Sequence, residues 1–98
     1  MTKDFFLRQN AWADREFGKD RTAGCMQHVL KEIEKELIPS DYALDEFVDV
    51  LMLTFHAMHC KGYTYEQIMK ALEDKLFECR ENRKWMPPDE NGIIEHKR

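Results

Sequence analysis

The chain of 98 residues has few prolines, glycines and cysteines and no long apolar run. Three prolines and four glycines provide few turn signals, which argues against an all-β fold with its many short connections. No apolar run approaches the roughly 20 residues that a membrane-spanning helix needs. The first residues lack a long apolar stretch followed by small residues, so we expect no signal peptide.

Cysteine is also scarce. Cys25, Cys60 and Cys79 are odd in number and widely spaced, which suits reduced thiols in a cytoplasmic protein and provides no CxxC zinc motif. The formal net charge of −4 gives no excess of basic residues for a nucleic-acid surface. We therefore expect a cytoplasmic protein with neither a nucleic-acid nor a membrane partner.

Apolar residues recur at helical spacing in four segments, which predicts an all-α fold in one domain, residues 1–98. The predicted helices span residues 3–16, 25–37, about 41–60 and 65–83, with short connections. Ser40 or Asp41 is predicted to cap the third helix, and Thr64 with Gln67 forms a capping box for the fourth. The expected architecture is a small antiparallel helical bundle with an extended C-terminal tail from Met86.

The apolar residues of these helices are predicted to face inward. On the second helix they form one stripe, and on the third a broad face; the members are Met26, Val29, Leu30, Ile33 and Leu37, then Leu44, Phe47, Val48, Leu51, Met52, Phe55 and Met58. On the fourth helix they are Ile68, Ala71, Leu72 and Leu76.

The negative charge is concentrated in one stretch. Residues 32–49 contain seven acids and one base, a charge of −6, whereas the remainder of the chain carries +2. Charged residues on amphipathic helices most often simply face water. However, Glu32 and Glu36 share one helix face, and Glu46 and Asp49 share a face of the next helix. Hard oxygen ligands of this kind suit Mg²⁺ or Mn²⁺, so a metal site is the second interpretation.

Several short motifs follow one another in a fixed order along nearly the whole chain. They are Phe17-Gly18, Gly24, residues 28–33 (HVLKEI), residues 46–51 (EFVDVL), Gly62, Lys75, Arg83-Lys84-Trp85 and Glu95-His96. In this order they resemble the small all-α nucleotide pyrophosphohydrolases of the MazG-like superfamily. More narrowly, they resemble its phage and bacterial dATP/dGTP diphosphohydrolase branch, the MazZ type.

The resemblance implies a metal-dependent enzyme that cuts a purine deoxynucleoside triphosphate between the α and β phosphates. It implies Mg²⁺ or Mn²⁺ bound by Glu32, Glu46 and Asp49, and a further carboxylate three residues after Glu32, where this chain has Lys35. A local shift in register makes Glu36 our choice for that fourth ligand, with Glu34 in reserve. Glu36, together with Glu32, is also our choice for the catalytic carboxylates.

Substrate contacts are expected from six residues: His28, Lys31, His56, Lys75, Arg83 and Trp85. The cations would contact phosphates, and Trp85, or alternatively Trp12 or Phe17, would stack on the base. The chain departs from the family pattern at His56, at His59-Cys60 and at Cys79. These departures bear on the substrate contacts more than on the metal ligands.

A bundle of this length barely encloses both a core and a nucleotide cleft, so we expect a homodimer or homotetramer. Two other interpretations remain open. One is a non-catalytic helical interaction module, and the other is a sensor that binds nucleotide or metal without turnover.

Overall fold

The computed structural model describes residues 1–97, and this range contains four α-helices and no β-strand. The helices are α1 (Lys3–Phe17), α2 (Thr22–Glu32), α3 (Leu44–Lys61) and α4 (Tyr65–Phe77). Two π-helical turns, Ile33–Leu37 and Glu78–Asn82, directly continue α2 and α4. The predicted all-α fold is confirmed. No helix within these residues is long and apolar enough to cross a membrane.

The chain divides into two compact units, Met1–Tyr65 and Glu66–Arg98. The first unit contains α1, α2 and α3, and within it α3 packs against both α1 and α2. The second unit contains α4, its π-helical turn and the C-terminal segment. All four carboxylates predicted as metal ligands therefore belong to the first unit.

Local residue chemistry explains most helix ends. Thr2 caps α1 by accepting a hydrogen bond from the Phe5 amide, and Gly18 follows the helix with φ +87°. Gly62, with φ +102°, ends α3 in the left-handed conformation that glycine adopts most easily. These ends agree with the predicted ones to within one or two residues.

The start of α2 differs from the prediction. The helix begins at Thr22, three residues early, and the Thr22 hydroxyl donates to the Ala57 carbonyl of α3 at 3.2 Å. Gly24 therefore lies inside the helix and not in the preceding loop. A β-carbon at Gly24 would come within 3.2 Å of the Arg21 guanidinium carbon. The glycine thus allows Arg21 to fold back against the first turn of α2.

The predicted cap of the third helix is wrong. The helix begins at Leu44 with Ala43 as its N-cap, and no side chain caps it. Ser40 instead closes the preceding turn: its Oγ donates to the Leu37 carbonyl at 2.8 Å and accepts from the Ala43 amide at 3.1 Å. Asp41 and Tyr42 both have positive φ, +58° and +63°, so the chain reverses direction before α3 can start.

Three polar side chains of α1 join it to α3. Gln9 Nε2 donates to the Met52 carbonyl at 2.7 Å, and Asn10 Oδ1 lies 3.3 Å from His56 Nδ1. One turn later, Asp14 Oδ2 lies 2.9 Å from His59 Nε2. Around this polar row the apolar core is small; its members in the first unit are Phe6, Ala13, Cys25, Val29, Leu37 and Ala57.

The predicted apolar faces are only partly buried. The first half of the α3 face is exposed to between 40% and 75%, at Leu44, Phe47, Val48 and Leu51. Met26 and Leu30 of α2 are exposed as well, as are Ala71, Leu72 and Leu76 of α4. Helical spacing predicted which residues share a face, but it did not predict that this part of the face is exposed.

Phe6 provides a test of the core. Its side chain is 2% exposed and contacts the rings of His59 and Tyr65, with centroids at 6.3 and 6.0 Å. We expect Phe6→Ala to lower the free energy of unfolding by about 3–5 kcal/mol in urea titrations, because it leaves a cavity. Leu7→Ala, at an adjacent residue that is 54% exposed, serves as the control and should change it by about 0.5 kcal/mol or less. Equal losses would contradict the described packing.

Candidate functional site

Three carboxylates from two helices converge in the first unit. Glu32 is the last residue of α2, and Glu46 and Asp49 lie one turn apart near the start of α3. One oxygen from each lies within 4.8 Å of the others. Glu32 and Glu46 are half-buried and Asp49 is exposed. The packing of α2 against α3 therefore brings together three of the four predicted metal ligands.

The negative charge of this cluster has little compensation. Among the ion pairs within residues 1–97, the one basic partner of the three is His28, whose Nε2 lies 3.1 Å from Glu32 Oε1. Partial burial raises the pKa of Glu46, and repulsion from Asp49, Glu36, Glu32 and Asp45 raises it further. A cation placed among these oxygens would remove that repulsion.

Glu36 lies close to the cluster but outside its core. It is exposed, and it is among the carboxylates whose charge raises the pKa of Glu46. Glu34, the reserve ligand, is also exposed and lies 3.4 Å from Lys35 Nζ. The geometry thus favours Glu36 over Glu34 as the additional carboxylate, and its role as a ligand stays a prediction.

The π-helical turn Ile33–Leu37 accounts for the position of Glu36. The Ile38 amide donates to the Ile33 carbonyl at 3.1 Å, five residues back, so this turn holds about one more residue than an α-helical turn. Because of this additional residue, the fourth residue after Glu32 comes close to the side of the helix that the third residue would occupy in a regular α-helix. A π turn is compatible with the register shift proposed for Glu36, which stays a prediction.

The cluster borders a cavity of about 430 Å³. Glu32 and Asp49 line it together with Trp12 and Phe17, whose rings meet edge to face with centroids 5.3 Å apart. This volume lies within the range of about 300–1,000 Å³ typical of small-molecule sites. Carboxylates on one part of the wall and aromatic rings on another suit a ligand with a charged end and a flat end.

Other cavity residues include some that the sequence prediction named and some that it missed. His28 and His56, both predicted to contact substrate, line the cavity, and the contacts themselves stay predictions. Arg21 lines it too, although it lies between the first two predicted helices and no role was predicted for it. Lys31 is exposed on the last turn of α2, and no contact with the cavity is described for it.

His56 is the most enclosed of the predicted substrate residues, at 4% exposure. Burial lowers its pKa; Asp14 and a backbone contact with Gly18 oppose that effect, while His59 and Arg21 add to it. Its Nδ1 lies 3.3 Å from Asn10 Oδ1 and its Nε2 lies 3.5 Å from Cys60 Sγ. Asn10 thus orients the His56 ring through Nδ1, and the neighbour of Nε2 is the Cys60 thiol.

These features belong to a recognisable sequence family. The sequence model of the dATP/dGTP pyrophosphohydrolase family matches residues 6–97. The chain belongs to this family. Compared with curated proteins and with solved structures, it has no match. The family resemblance inferred from the order of the motifs is therefore confirmed, and it supports a hydrolase that acts on a nucleotide.

The second unit holds the remaining motifs of this dATP/dGTP pyrophosphohydrolase family member. Trp85 and His96 form an isolated antiparallel bridge, and their rings meet edge to face at 6.2 Å. The Met86 amide donates to the Glu95 carbonyl at 2.8 Å. The tail was predicted to be extended; instead it folds back on itself around a turn at Asp89 and Gly92 and pairs the two C-terminal motifs.

The predicted substrate contacts of this unit have partners within it. Arg83 Nη2 lies 3.1 Å from Glu78 Oε1, and Lys75 Nζ lies 3.8 Å from Glu78 Oε2. Trp85 Nε1 donates to the Cys79 carbonyl at 3.1 Å, and the ring is 47% exposed. Their contacts with substrate stay predictions.

The charge of the cluster predicts a pH-dependent stability. Because the pKa of Glu46 is raised in the folded state, folding favours its protonated form, and that stabilisation is lost as the pH rises from the ordinary glutamate value of about 4.3 through the raised one. In EDTA, we expect Glu46→Gln to raise the melting temperature above that of the wild type at pH 7, with the difference shrinking toward pH 4.

The matched control is Glu73→Gln on α4, which removes the same charge from an exposed residue outside the carboxylate cluster. It should leave the melting temperature unchanged across the same pH range. Addition of Mg²⁺ should reverse the order of wild type and Glu46→Gln. A Glu46→Gln protein that melts lower than the wild type in EDTA at pH 7 would show that the carboxylates do not repel one another.

Proposed function

We propose that this protein hydrolyses dATP and dGTP between the α and β phosphates and releases the nucleoside monophosphate and pyrophosphate. Membership in the dATP/dGTP pyrophosphohydrolase family supports the substrate class. The observation that carries the proposal is the carboxylate cluster of Glu32, Glu46 and Asp49 at the edge of an aromatic-lined cavity. A nucleoside triphosphate has the matching parts, an anionic chain and a flat base.

The cluster fits a hard divalent cation, for which we propose Mg²⁺ or Mn²⁺. Its donors are all carboxylate oxygens, and their mutual repulsion is relieved by no Lys or Arg ion pair within residues 1–97. Glu32, Glu46 and Asp49 would hold the ion, with Glu36 as the fourth carboxylate. When bound, such an ion neutralises phosphate charge and polarises the phosphoryl group.

The protein itself would supply a base and orientation. In hydrolysis, the oxygen of water bonds to the α-phosphorus, the bond from that phosphorus to the bridging oxygen breaks, and its electron pair leaves with pyrophosphate. We assign the proton of the water to Glu36, which lies near the cluster yet is exposed and outside its core. His28 holds Glu32 by the 3.1 Å contact between Nε2 and Oε1.

The base would lie against the aromatic part of the cavity. Trp12 and Phe17 are 44% and 57% exposed, so their rings are accessible and do not serve only as core. A purine offers a larger flat surface than a pyrimidine for contact with such rings. Arg21 lines the same cavity and is available to polar groups of the substrate. We also propose His56, Lys31, Lys75, Arg83 and Trp85 as substrate contacts.

We further propose that the chain acts as a homodimer or homotetramer in the cytoplasm. The exposed residues Leu44, Phe47, Val48 and Leu51 repeat at helical spacing along α3 and support burial against another copy. The scarcity and wide spacing of the cysteines support the location.

The activity test compares the wild type with Asp49→Asn, Glu36→Gln and Glu34→Gln. Purified protein is incubated with dATP or dGTP and Mg²⁺, and pyrophosphate is measured. We expect the wild type to release pyrophosphate. Asp49→Asn removes a metal ligand itself, so its activity should fall by more than the ~10–100-fold that follows from loss of a residue that only supports a metal ligand. Glu36→Gln should lower kcat and also raise the Mg²⁺ concentration required, because Glu36 is proposed both as the base and as the fourth carboxylate at the ion.

Glu34→Gln is the matched control, because Glu34 is an acid of the same π-helical turn that lies against Lys35. It should retain the wild-type rate. An Asp49→Asn enzyme with wild-type activity would contradict the site, and a wild type that releases orthophosphate instead would contradict the reaction.

Thermal melting separates the enzyme from the two other interpretations. A ligand that binds only the folded state stabilises it by about 2.7 kcal/mol at 100 times its Kd, so Mn²⁺ with dATP should raise the melting temperature. The absence of any shift at millimolar ligand would favour the interaction module. A shift without pyrophosphate release after long incubation would favour the sensor.

A further inference from the structure

A second group of potential metal ligands lies between α1 and α3, separate from the carboxylate cluster. It consists of Asp14, His56 and Cys60, and one ligand atom from each lies within 4.8 Å of the others. His56 is buried, and Asp14 and Cys60 are half-buried. Nitrogen, sulfur and oxygen together are the donor types that Zn²⁺ takes in proteins, and they differ from the all-oxygen set of the first cluster.

The hydrogen-bond network leaves the correct nitrogen of His56 available. Asn10 Nδ2 donates to the Phe6 carbonyl at 2.9 Å, which turns Asn10 Oδ1 toward His56 Nδ1. Because Oδ1 can only accept, this contact favours the tautomer with the proton on Nδ1 and the lone pair on Nε2. Nε2 is the nitrogen that lies 3.5 Å from Cys60 Sγ. In metal-binding histidines, the ring nitrogen that does not bind the metal typically donates a hydrogen bond to a protein acceptor.

Asp14 provides a second, independent indication. Its Oδ2 is engaged by His59 Nε2 at 2.9 Å, but its Oδ1 is buried and has no hydrogen-bond partner within the described part of the chain. A buried carboxylate oxygen without a partner is costly, and natural proteins rarely keep one without a reason. One carboxylate oxygen of Asp14 lies within 4.8 Å of donor atoms of His56 and Cys60, and Oδ1 is the oxygen left without a hydrogen-bond partner.

The distances suit a tetrahedral ion. With a Zn–S bond of about 2.3 Å and a Zn–N bond of about 2.0 Å, a tetrahedral angle places sulfur and nitrogen about 3.5 Å apart. Cys60 Sγ and His56 Nε2 are separated by 3.5 Å. Little movement of α3 is therefore needed to place an ion between them.

We propose that Asp14, His56 and Cys60 bind a Zn²⁺ ion through Oδ1, Nε2 and Sγ, with the fourth position left to a water or another ligand. Binding breaks the S–H bond of Cys60, the sulfur keeps the electron pair for the metal, and the proton is released to solvent. His59 supports the site by holding the other oxygen of Asp14. The ion would link α1 to α3 next to the cavity that His56 lines. This inference does not depend on the proposed hydrolysis.

The test uses Co²⁺ as a spectroscopic substitute for Zn²⁺, added to the full chain in excess Mg²⁺ without oxygen. We expect a thiolate-to-cobalt charge-transfer band that saturates at one Co²⁺ per chain. The band should disappear in Cys60→Ser and persist in Cys79→Ser, Cys25→Ser and the double variant Glu46→Gln/Asp49→Asn. Asp14→Asn should retain the band but need at least tenfold more Co²⁺.

A band that survives in Cys60→Ser, or no band in the wild type, would overturn the proposal. A measurement on the wild type alone covers the case in which a variant does not fold. Zn²⁺ should slow alkylation of Cys60 by iodoacetamide, measured by peptide mass spectrometry, at least tenfold relative to Cys79, which is also half-buried and lies in the other unit. Equal rates at Cys60 with and without Zn²⁺ would also overturn it.

Discussion

The mutual repulsion of Glu32, Glu46 and Asp49 is the constraint on which the candidate site depends. One oxygen of each lies within 4.8 Å of the others, the neighbouring charges help to raise the pKa of Glu46, and a cation among the oxygens would remove this repulsion. The packing of α2 against α3, which buries Val29 and Ala57, holds them there. A site that is strained in this way is set up to bind a cation, and through the cation a triphosphate that it would otherwise repel.

The π-helical turn Ile33–Leu37 lets one short segment meet two demands. Leu37 must point into the core, where it is 6% exposed, while Glu36 must stay near the carboxylate cluster. The π turn holds about one more residue than an α-helical turn, and such turns are frequent at functional sites.

Helix α3 carries two donor groups of different chemistry. Glu46 and Asp49 near its start provide hard oxygens, whereas His56 and Cys60 near its end provide nitrogen and sulfur. Asp49 and His56 are seven residues apart, which is about 10 Å along a helix. The polar row of α1 contributes to the second group alone, through Asn10 and Asp14. Ligand hardness would therefore direct different ions to the two places.

The presence of four helices, the family and the residues that carry the charge could be predicted from the sequence. Helical spacing is a local property of the chain, so it indicated the helices although it missed the starts of α2 and α3. The order of the motifs is likewise a property of the chain alone, and it identified the pyrophosphohydrolase family. Spacing also placed Glu46 and Asp49 on one helix face, because they are three residues apart.

Which of these residues come into contact depends on how the helices pack. The approach of Glu32 to Glu46 depends on the contact between two helices, and that of Asp14 to Cys60 joins residues 46 positions apart. Because Asp41 and Tyr42 have positive φ angles, α3 begins only at Leu44. The preference for capping residues did not predict these φ angles. Leu44 and Phe47 are exposed although they lie on an apolar helix face. Periodicity identifies such a face, but it does not show whether the face is buried within the chain.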